Sequence, residues 1–192
     1  MSCKLTLITT IRYKLKASVM ALFLMLTLMV EPVCAELETQ IRGLMLGQIP
    51  SFIYWPDISN HPETKTHFDL CILGKHPFGT LLDEIYSTKL IKTKPVHLHY
   101  INKINETNSC HLLFISASHK NELTNIIAVA QEHSILTVSE TRGFSDHGVI
   151  VNFYNAKQKT RLAINHNSAK NSGFKISSRL LSISKITHPL ID

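Results

Sequence analysis

The sequence lacks a hydrophobic run long enough to span a membrane. Its main apolar stretch, residues 17–30, covers fourteen residues, whereas a transmembrane helix needs about 20. A basic flank precedes this stretch, and "EPVCA" follows it, with Val33 and Ala35 at the small-residue positions of a cleavage site. This order is typical of a secretory signal peptide. We therefore expect a signal peptide at residues 1–35 and a periplasmic mature chain, 36–192; a retained anchor is the alternative.

The sequence also lacks a cluster of basic residues. The formal net charge is +6, from 20 Lys and Arg against 14 Asp and Glu. Residues 1–35 contain four of the basic residues and one acidic residue, so residues 36–192 have 16 against 13 and a net charge of +3. These charges are spread along the chain, whereas a nucleic-acid-binding protein presents a basic patch. We expect no nucleic-acid partner, and a 157-residue mature chain suits one domain.

Cysteine is scarce, with four residues in the whole chain. Two of them fall within the expected signal peptide, which leaves Cys71 and Cys110 in the mature protein. An exported protein meets conditions that permit disulfides, so these two are expected to pair. The alternative is two buried free thiols that behave as small apolar groups. A bridge would require neighbouring strands, with Cα atoms closer than about 7 Å.

The motifs of common enzymes are missing. Gly74 and Gly79 frame four residues as in a phosphate loop, but Thr80 follows where a lysine is required. No serine occupies a G-x-S-x-G elbow. The paired carboxylates Asp83 and Glu84 lie on the surface of a predicted helix. We expect no catalytic residues, no enzymatic activity and no cofactor.

Histidine, by contrast, is abundant, with eleven residues. His97 and His99 share one face of a predicted strand, and His111 follows Cys110 directly. No spacing matches a zinc signature. We therefore expect histidines that face solvent and no metal site.

The hydrophobic pattern alternates between strand and helix periods. The first predicted helix covers residues 36–57, with Leu37, Ile41 and Leu44 on its apolar side and a break at Pro50. Buried strands, a carboxyl-side hairpin and a final helix with Ile176 on its apolar side follow it. The predicted strands are 68–74, 94–101, 111–116, 134–139, 149–155 and 160–166, and the predicted inner helices are 77–87 and 119–132. This order indicates a single-domain α/β sandwich with a largely parallel central sheet and flanking helices.

Three polar side chains are candidates for ligand contact because they lie at or near strand ends. Ser116 and Ser118 follow a buried strand at its carboxyl end, where α/β sheets bind ligands. Thr137 lies in the next strand. The competing interpretation of the serines is helix capping.

Trp55 ends the first predicted helix, where it is either a core residue or an exposed binding anchor. The loop "ETRGFSDHG" (140–148) follows a buried strand and contains Arg142 and Phe144. Gly143 and Gly148 give this loop two positions that adopt positive φ without strain.

The chain contains seven segments that together are characteristic: "FIYWPD", "CILGKHPFG", "CHLLFIS", "ILTVSETRGF", "HGVIVNF", "RLAIN" and "ISSRLLSI". They occur in the order and near the spacing of the YfiR family, so the chain resembles that family over residues 41–185. Two departures are Pro50 in the first helix and His147–Gly148 where a Gly-Gly pair is expected. Both lie in segments suited to partner contact, as do Arg142 and Phe144.

The resemblance implies a role rather than a reaction. YfiR-type proteins are periplasmic regulators that restrain an inner-membrane diguanylate cyclase by binding its periplasmic part. An outer-membrane lipoprotein sequesters the regulator, which raises cyclic diguanylate and biofilm formation. The resemblance also implies a Cys71–Cys110 disulfide and a homodimer. A periplasmic small-molecule-binding domain is the alternative function, with its site near Ser116, Ser118 and Thr137.

Overall fold

The computed structural model of the chain describes residue 20 and residues 31–56, 65–107, 109–157 and 159–187. The chain divides into two units, residues 1–38 and residues 39–192. Most of the predicted signal peptide lies outside the described residues, so its presence and cleavage stay predictions. No described helix combines the length and the apolar character that crossing a membrane requires.

Five α-helices and nine strands make up the regular structure of the described residues. The helices are α1 (Glu31–Gln48), α2 (Leu81–Tyr86), α3 (Leu123–Glu132), α4 (His166–Asn171) and α5 (Ser178–Ser182). The strands are β1 (Ile53–Tyr54), β2 (Phe68–Leu73), β3 (Val96–Ile101), β4 (Leu112–Ile115), β5 (Leu136–Ser139), β6 (Val151–Ala156), β7 (Lys159–Asn165), β8 (Lys175–Ile176) and β9 (Lys185–Thr187). Short 3-10 helices occupy Ile49–Phe52, Ile104–Glu106, Ala117–Glu122 and Phe144–His147.

Seven strands form one sheet in the order β3-β2-β4-β5-β6-β7-β9. Every neighbouring pair is parallel except the β6–β7 hairpin, which is antiparallel. β1 and β8 form a separate antiparallel pair. The prediction of an α/β fold with a largely parallel sheet, a carboxyl-side hairpin and flanking helices is confirmed.

The sheet is covered on both faces, which explains the continuous apolar runs of its central strands. In β2, Leu70 and Ile72 pack into one core together with α1 and α2. Cys71 and Leu73 point to the other face and pack into a second core with α3. All six residues of β2 are buried.

A disulfide forms between the two cysteines that the sequence predicts to pair. Cys71 in β2 is bonded to Cys110, two residues before β4, and their Cα atoms are 5.8 Å apart. β2 and β4 are parallel neighbours, with Leu70 beside Leu112. The predicted bridge and the predicted adjacency are confirmed.

Helix α1 ends at Gln48 and continues as a 3-10 turn through Pro50, so the predicted break is confirmed. Two residues of its predicted apolar side, Ile41 and Leu44, are 39% and 41% exposed and do not form the buried face of the helix. The helix packs through Gly43, Leu46 and Gly47 instead. A Cβ at Gly47 would lie 2.8 Å from the Tyr86 hydroxyl oxygen. Glycine therefore allows a close helix–helix approach that hydrophobic periodicity does not reveal.

The carboxyl-terminal segment differs from its prediction in that Ile176 lies in a strand and pairs with Ile53. The segment is divided into α4, β8, α5 and β9. Gly173 at φ +81° separates α4 from β8, and the Ser177 side chain caps α5 by accepting a hydrogen bond from the Leu180 N–H. A left-handed glycine and a new N-cap within five residues exclude one continuous helix.

Candidate functional site

A polar cleft of about 580 Å³ lies beside the carboxyl end of β5. It is lined by α1, by the loop that follows β5, and by strands β6, β7 and β9. Charged side chains of both signs and two amide side chains surround the cleft. These side chains are Arg42, Glu140, Arg142, Asp146, Asn152, Asn155 and Lys185.

Arg42 joins three elements at this cleft. Its Nη1 donates to Glu140 Oε2 at 2.8 Å, and its Nη2 donates to Asn155 Oδ1 at 2.8 Å. The ion pair is largely shielded from solvent, with the Arg42 and Glu140 side chains 16% and 24% exposed. The rigid fork of the guanidinium thus fixes α1 against the end of β5 and against β6.

Two buried oxygens at the cleft make no hydrogen bond within the described part of the chain. They are Oδ1 of Asn152, in a residue 3% exposed, and Oγ1 of Thr187, in a residue 8% exposed. Buried polar atoms are normally paired, so these two oxygens are acceptors without a partner, in residues that line the cleft. The arrangement suits a small molecule that carries hydrogen-bond donors and charge.

The serines predicted at a strand end have structural roles. Ser116 caps the following 3-10 helix by accepting a hydrogen bond from the Ser118 N–H at 3.3 Å, and its hydroxyl donates to the Lys75 carbonyl oxygen. Ser118 Oγ accepts from the Lys75 N–H at 3.2 Å. Ser116, rather than Ser118, is therefore the cap, and the pair holds the turn after β2.

The other predicted contact residues divide between the core and the cleft. Thr137 is buried, and its Oγ1 accepts from the Ile150 N–H at 2.9 Å. Phe144 is buried in the α3-side core, and Trp55 is buried in the core on the opposite face of the sheet. Arg142 is exposed and lines the cleft. Of the predicted set, Arg142 alone lines this cleft.

Sequence reasoning missed most of the cleft. Arg42 and Glu140 are 98 residues apart, and each resembles an ordinary surface charge. Asn152 offered a weak signal, because it is a polar residue inside the strand pattern "VIVNFYN". A buried amide at that position needs a partner.

The sequence matches the model of the YfiR/HmsC-like family over residues 39–185. The match covers more than half of the chain. The chain belongs to the YfiR/HmsC-like family. No curated protein matches it. The resemblance of the sequence motifs to the YfiR family is thereby confirmed.

Solved structures similar to this YfiR/HmsC-like chain are distant. An ABC domain in complex with L-Trp from Streptococcus pneumonia is 9% identical, with a TM-score of 0.49, over 62% of this chain and 55% of that one. A conserved domain protein from Vibrio cholerae is 10% identical, with a TM-score of 0.48, over 62% and 54%. The substrate-binding protein CD0873 from Clostridium difficile is 10% identical, with a TM-score of 0.45, over 64% and 55%. The chain thus spans about half the length of each, and nothing about function follows from similarities this distant.

A second polar group in this YfiR/HmsC-like domain lies on the α3 face, at the amino ends of β2 and β3. One ligand atom each from His67, Asp69 and His97 lie within 4.8 Å of one another. His99 Nε2 is 2.8 Å from Asp69 Oδ1. We expected solvent-facing histidines, but only His97 of these three histidines is exposed, while the other two are half-buried.

His111 lies behind this group and is fully buried. Its Nδ1 accepts a hydrogen bond from the Asp69 N–H at 2.8 Å, which places the ring proton on Nε2. Burial lowers the pKa of His111 to about 4, partly opposed by the nearby Asp69 carboxylate. His111 is therefore neutral at physiological pH and forms part of the packed support beneath Asp69.

Proposed function

We propose that this protein is an exported, non-enzymatic regulator that binds the periplasmic part of an inner-membrane diguanylate cyclase and restrains it. The observation that carries the proposal is membership of the YfiR/HmsC-like family across residues 39–185. The Cys71–Cys110 disulfide supports it, since structural disulfides persist in oxidising compartments such as the periplasm.

The regulator acts by differential binding. A protein that binds the inactive conformation of the cyclase more tightly than the active one shifts the population toward the inactive state. To move that equilibrium from 1:99 to 99:1, the difference in affinity must be about 10⁴-fold. No reaction is needed, which is consistent with a chain whose sequence lacks a catalytic motif.

The outward side of α1 is the surface that we assign to the cyclase. Ile41 and Leu44 are three residues apart, at helical spacing, and are 39% and 41% exposed. An amphipathic helix that presents its apolar residues outward can dock into a groove of a partner.

Replacing Leu44 with glutamate is expected to weaken binding to the cyclase at least about 30-fold, because a binding hot spot contributes about 2 kcal/mol or more. Gln48→Glu is the matched control, since it adds the same charge to an exposed position of the same helix. Binding is measured by pull-down from membranes that contain the cyclase, and cyclic diguanylate is measured in cells. Equal binding by both variants, with unchanged melting temperatures, would remove α1 from the interface.

Two further partners belong to this role. One is an outer-membrane lipoprotein that sequesters the regulator and so releases the cyclase. The other is a second copy of this chain in a homodimer. Sedimentation of the purified protein tests the dimer, and a pull-down from outer membranes tests the lipoprotein.

The polar cleft favours a second function, the binding of a small periplasmic molecule. Oδ1 of Asn152 and Oγ1 of Thr187 can accept hydrogen bonds from a ligand. Arg142 and Lys185 supply positive charge, and Asp146 supplies negative charge. Free amino acids carry both charges and are the class of ligand that we propose.

A thermal-shift screen of the twenty amino acids is expected to identify a ligand that raises the melting temperature. The Arg142→Ala variant should bind it at least about tenfold more weakly, because hydrogen bonds to charged groups contribute about 1.5–3 kcal/mol. Arg161→Ala, at an exposed arginine of β7 that does not line the cleft, is the control. No shift with any amino acid would reject this class of ligand.

A further inference from the structure

We propose that His67, Asp69 and His97 bind a divalent transition-metal cation of the zinc class. The site is separate from the cleft and from the α1 surface. It replaces our expectation, from sequence spacing alone, that the chain holds no metal.

Strand register brings the three residues together. Asp69 in β2 and His97 in β3 are directly paired across the two parallel strands. His67 lies two residues before Asp69, and His99 two residues after His97, so each lies on the same face as its neighbour. β3 is the edge of the sheet. A zinc signature based on sequence spacing misses such a group, because its members come from separate strands.

The distances suit a tetrahedral ion. His67 Nε2 and Asp69 Oδ2 are 3.4 Å apart, and two ligands each 2.0–2.1 Å from a tetrahedral centre are separated by about 3.3 Å. All three ligand atoms lie within 4.8 Å of one another. The His67 and His97 rings are stacked, with centroids 3.9 Å apart and planes 16° apart. Because stacked rings cannot both direct an in-plane lone pair at one ion, metal binding requires the His97 ring to leave this stack. His97 is exposed, so its side chain can rotate to bring the third ligand atom to the ion.

Surrounding groups hold two of the ligands in place. Thr66 Oγ1 lies 3.1 Å from His67 Nδ1, which leaves Nε2 as the ligand atom. His99 Nε2 lies 2.8 Å from Asp69 Oδ1, which leaves Oδ2 directed at His67. Hydrogen bonds to the outer atoms of metal ligands are the usual support of metal sites in proteins.

The burial of Asp69 favours a cation at this site, beside its contact with His99. Its side chain is only 5% exposed, although it is a carboxylate. A buried charge requires a counter-charge or a metal, because desolvation is costly. Two imidazoles and one carboxylate suit zinc and similar transition metals better than magnesium or calcium, which prefer all-oxygen sites. The exposed position of His97 leaves the outer side of the site open to a fourth ligand.

The test is isothermal titration of the purified full chain, without an affinity tag, with Zn²⁺ and separately with Mg²⁺. We expect one Zn²⁺ per chain and no measurable Mg²⁺. Titration with Co²⁺ should give the visible absorption of a tetrahedral centre. His97→Ala should weaken Zn²⁺ binding at least about 100-fold, because even supporting groups contribute about 10–100-fold. His97 is exposed, so this variant is expected to fold normally.

His133→Ala is the matched control, since His133 is an exposed histidine at the end of α3. It should bind Zn²⁺ as the unmodified protein does. His67→Ala provides a second ligand variant, and a circular dichroism melt verifies that each variant is folded. Absence of Zn²⁺ binding, or equal binding by the His97→Ala, His67→Ala and His133→Ala proteins, would overturn the proposal and leave Asp69 hydrogen-bonded to histidine alone.

Discussion

Removing the Cys71–Cys110 disulfide is expected to lower the free energy of unfolding by about 4 kcal/mol. The two cysteines are 39 residues apart in sequence, and closing a loop of that length reduces the entropy of the unfolded chain by about that amount. Loss of a native disulfide from a small exported domain typically costs about 2–5 kcal/mol. For a domain with a total stability of about 5–15 kcal/mol, this is a large fraction.

The folded structure itself should change little when the bridge is absent. The His111 N–H donates to the Asp69 carbonyl oxygen at 2.9 Å, so a backbone hydrogen bond already fixes the register beside the disulfide. Both cysteines are fully buried and packed among apolar side chains. Alanine at both positions therefore removes the bridge without adding a buried polar group.

The measurement is urea denaturation of the unmodified protein and of the Cys71→Ala/Cys110→Ala double variant, each with and without reductant. Reductant should shift the midpoint of the unmodified protein and leave that of the double variant unchanged. In cells, the proposed regulatory role predicts that the double variant raises cyclic diguanylate, because a destabilised protein is unfolded more often and then cannot bind a cyclase. A thiol count that finds both cysteines free in the unreduced, unfolded protein would refute the bridge.

The sheet could be predicted because its strands are buried on both faces. Runs such as "FDLCIL" and "LLFI" have a burial requirement that the interior of a parallel sheet meets. The face of α1 was hard to predict, because Gly43 and Gly47 carry no hydrophobic signal and yet form the contact together with Leu46. The apolar residues opposite them, Ile41 and Leu44, are exposed. Periodicity locates an amphipathic helix but does not establish which side the protein buries.

The polar sites were harder to predict for a related reason. Arg42, Glu140 and Asn155 come from three distant parts of the chain, and each is unremarkable in its own segment. His97 and His99 were recognised from the sequence as lying on one face of a strand. Asp69 lies within the apolar run of β2, so its place in a polar site was not recognised. Only the pairing of β2 with β3 brings Asp69 to His97. Sites that depend on register become visible only when the strand order is known.

Replacing Trp55 with alanine is expected to lower the free energy of unfolding by about 3–5 kcal/mol, the usual cost of truncating a buried aromatic residue. Trp55 is 7% exposed. Its ring makes edge contacts with Phe68 in β2 and with Phe174, at centroid distances of 6.2 and 5.4 Å. The Lys92 ammonium lies 5.2 Å from the ring centroid. Trp55 thus connects the segment after β1 with the main sheet and with the segment before β8.

Tyr54→Ala is the matched control, because Tyr54 is the adjacent aromatic residue and is 62% exposed. It should change stability by less than about 0.5 kcal/mol, as surface substitutions usually do. Thermal melts of the two variants, run beside the membrane pull-down, separate a packing role from a binding role. A folded Trp55→Ala protein with the melting temperature of the Tyr54→Ala control, but without its partner, would show that Trp55 is a binding anchor. A protein that melts well below the control would instead place its contribution in the core, where its contacts with Phe68 and Phe174 lie.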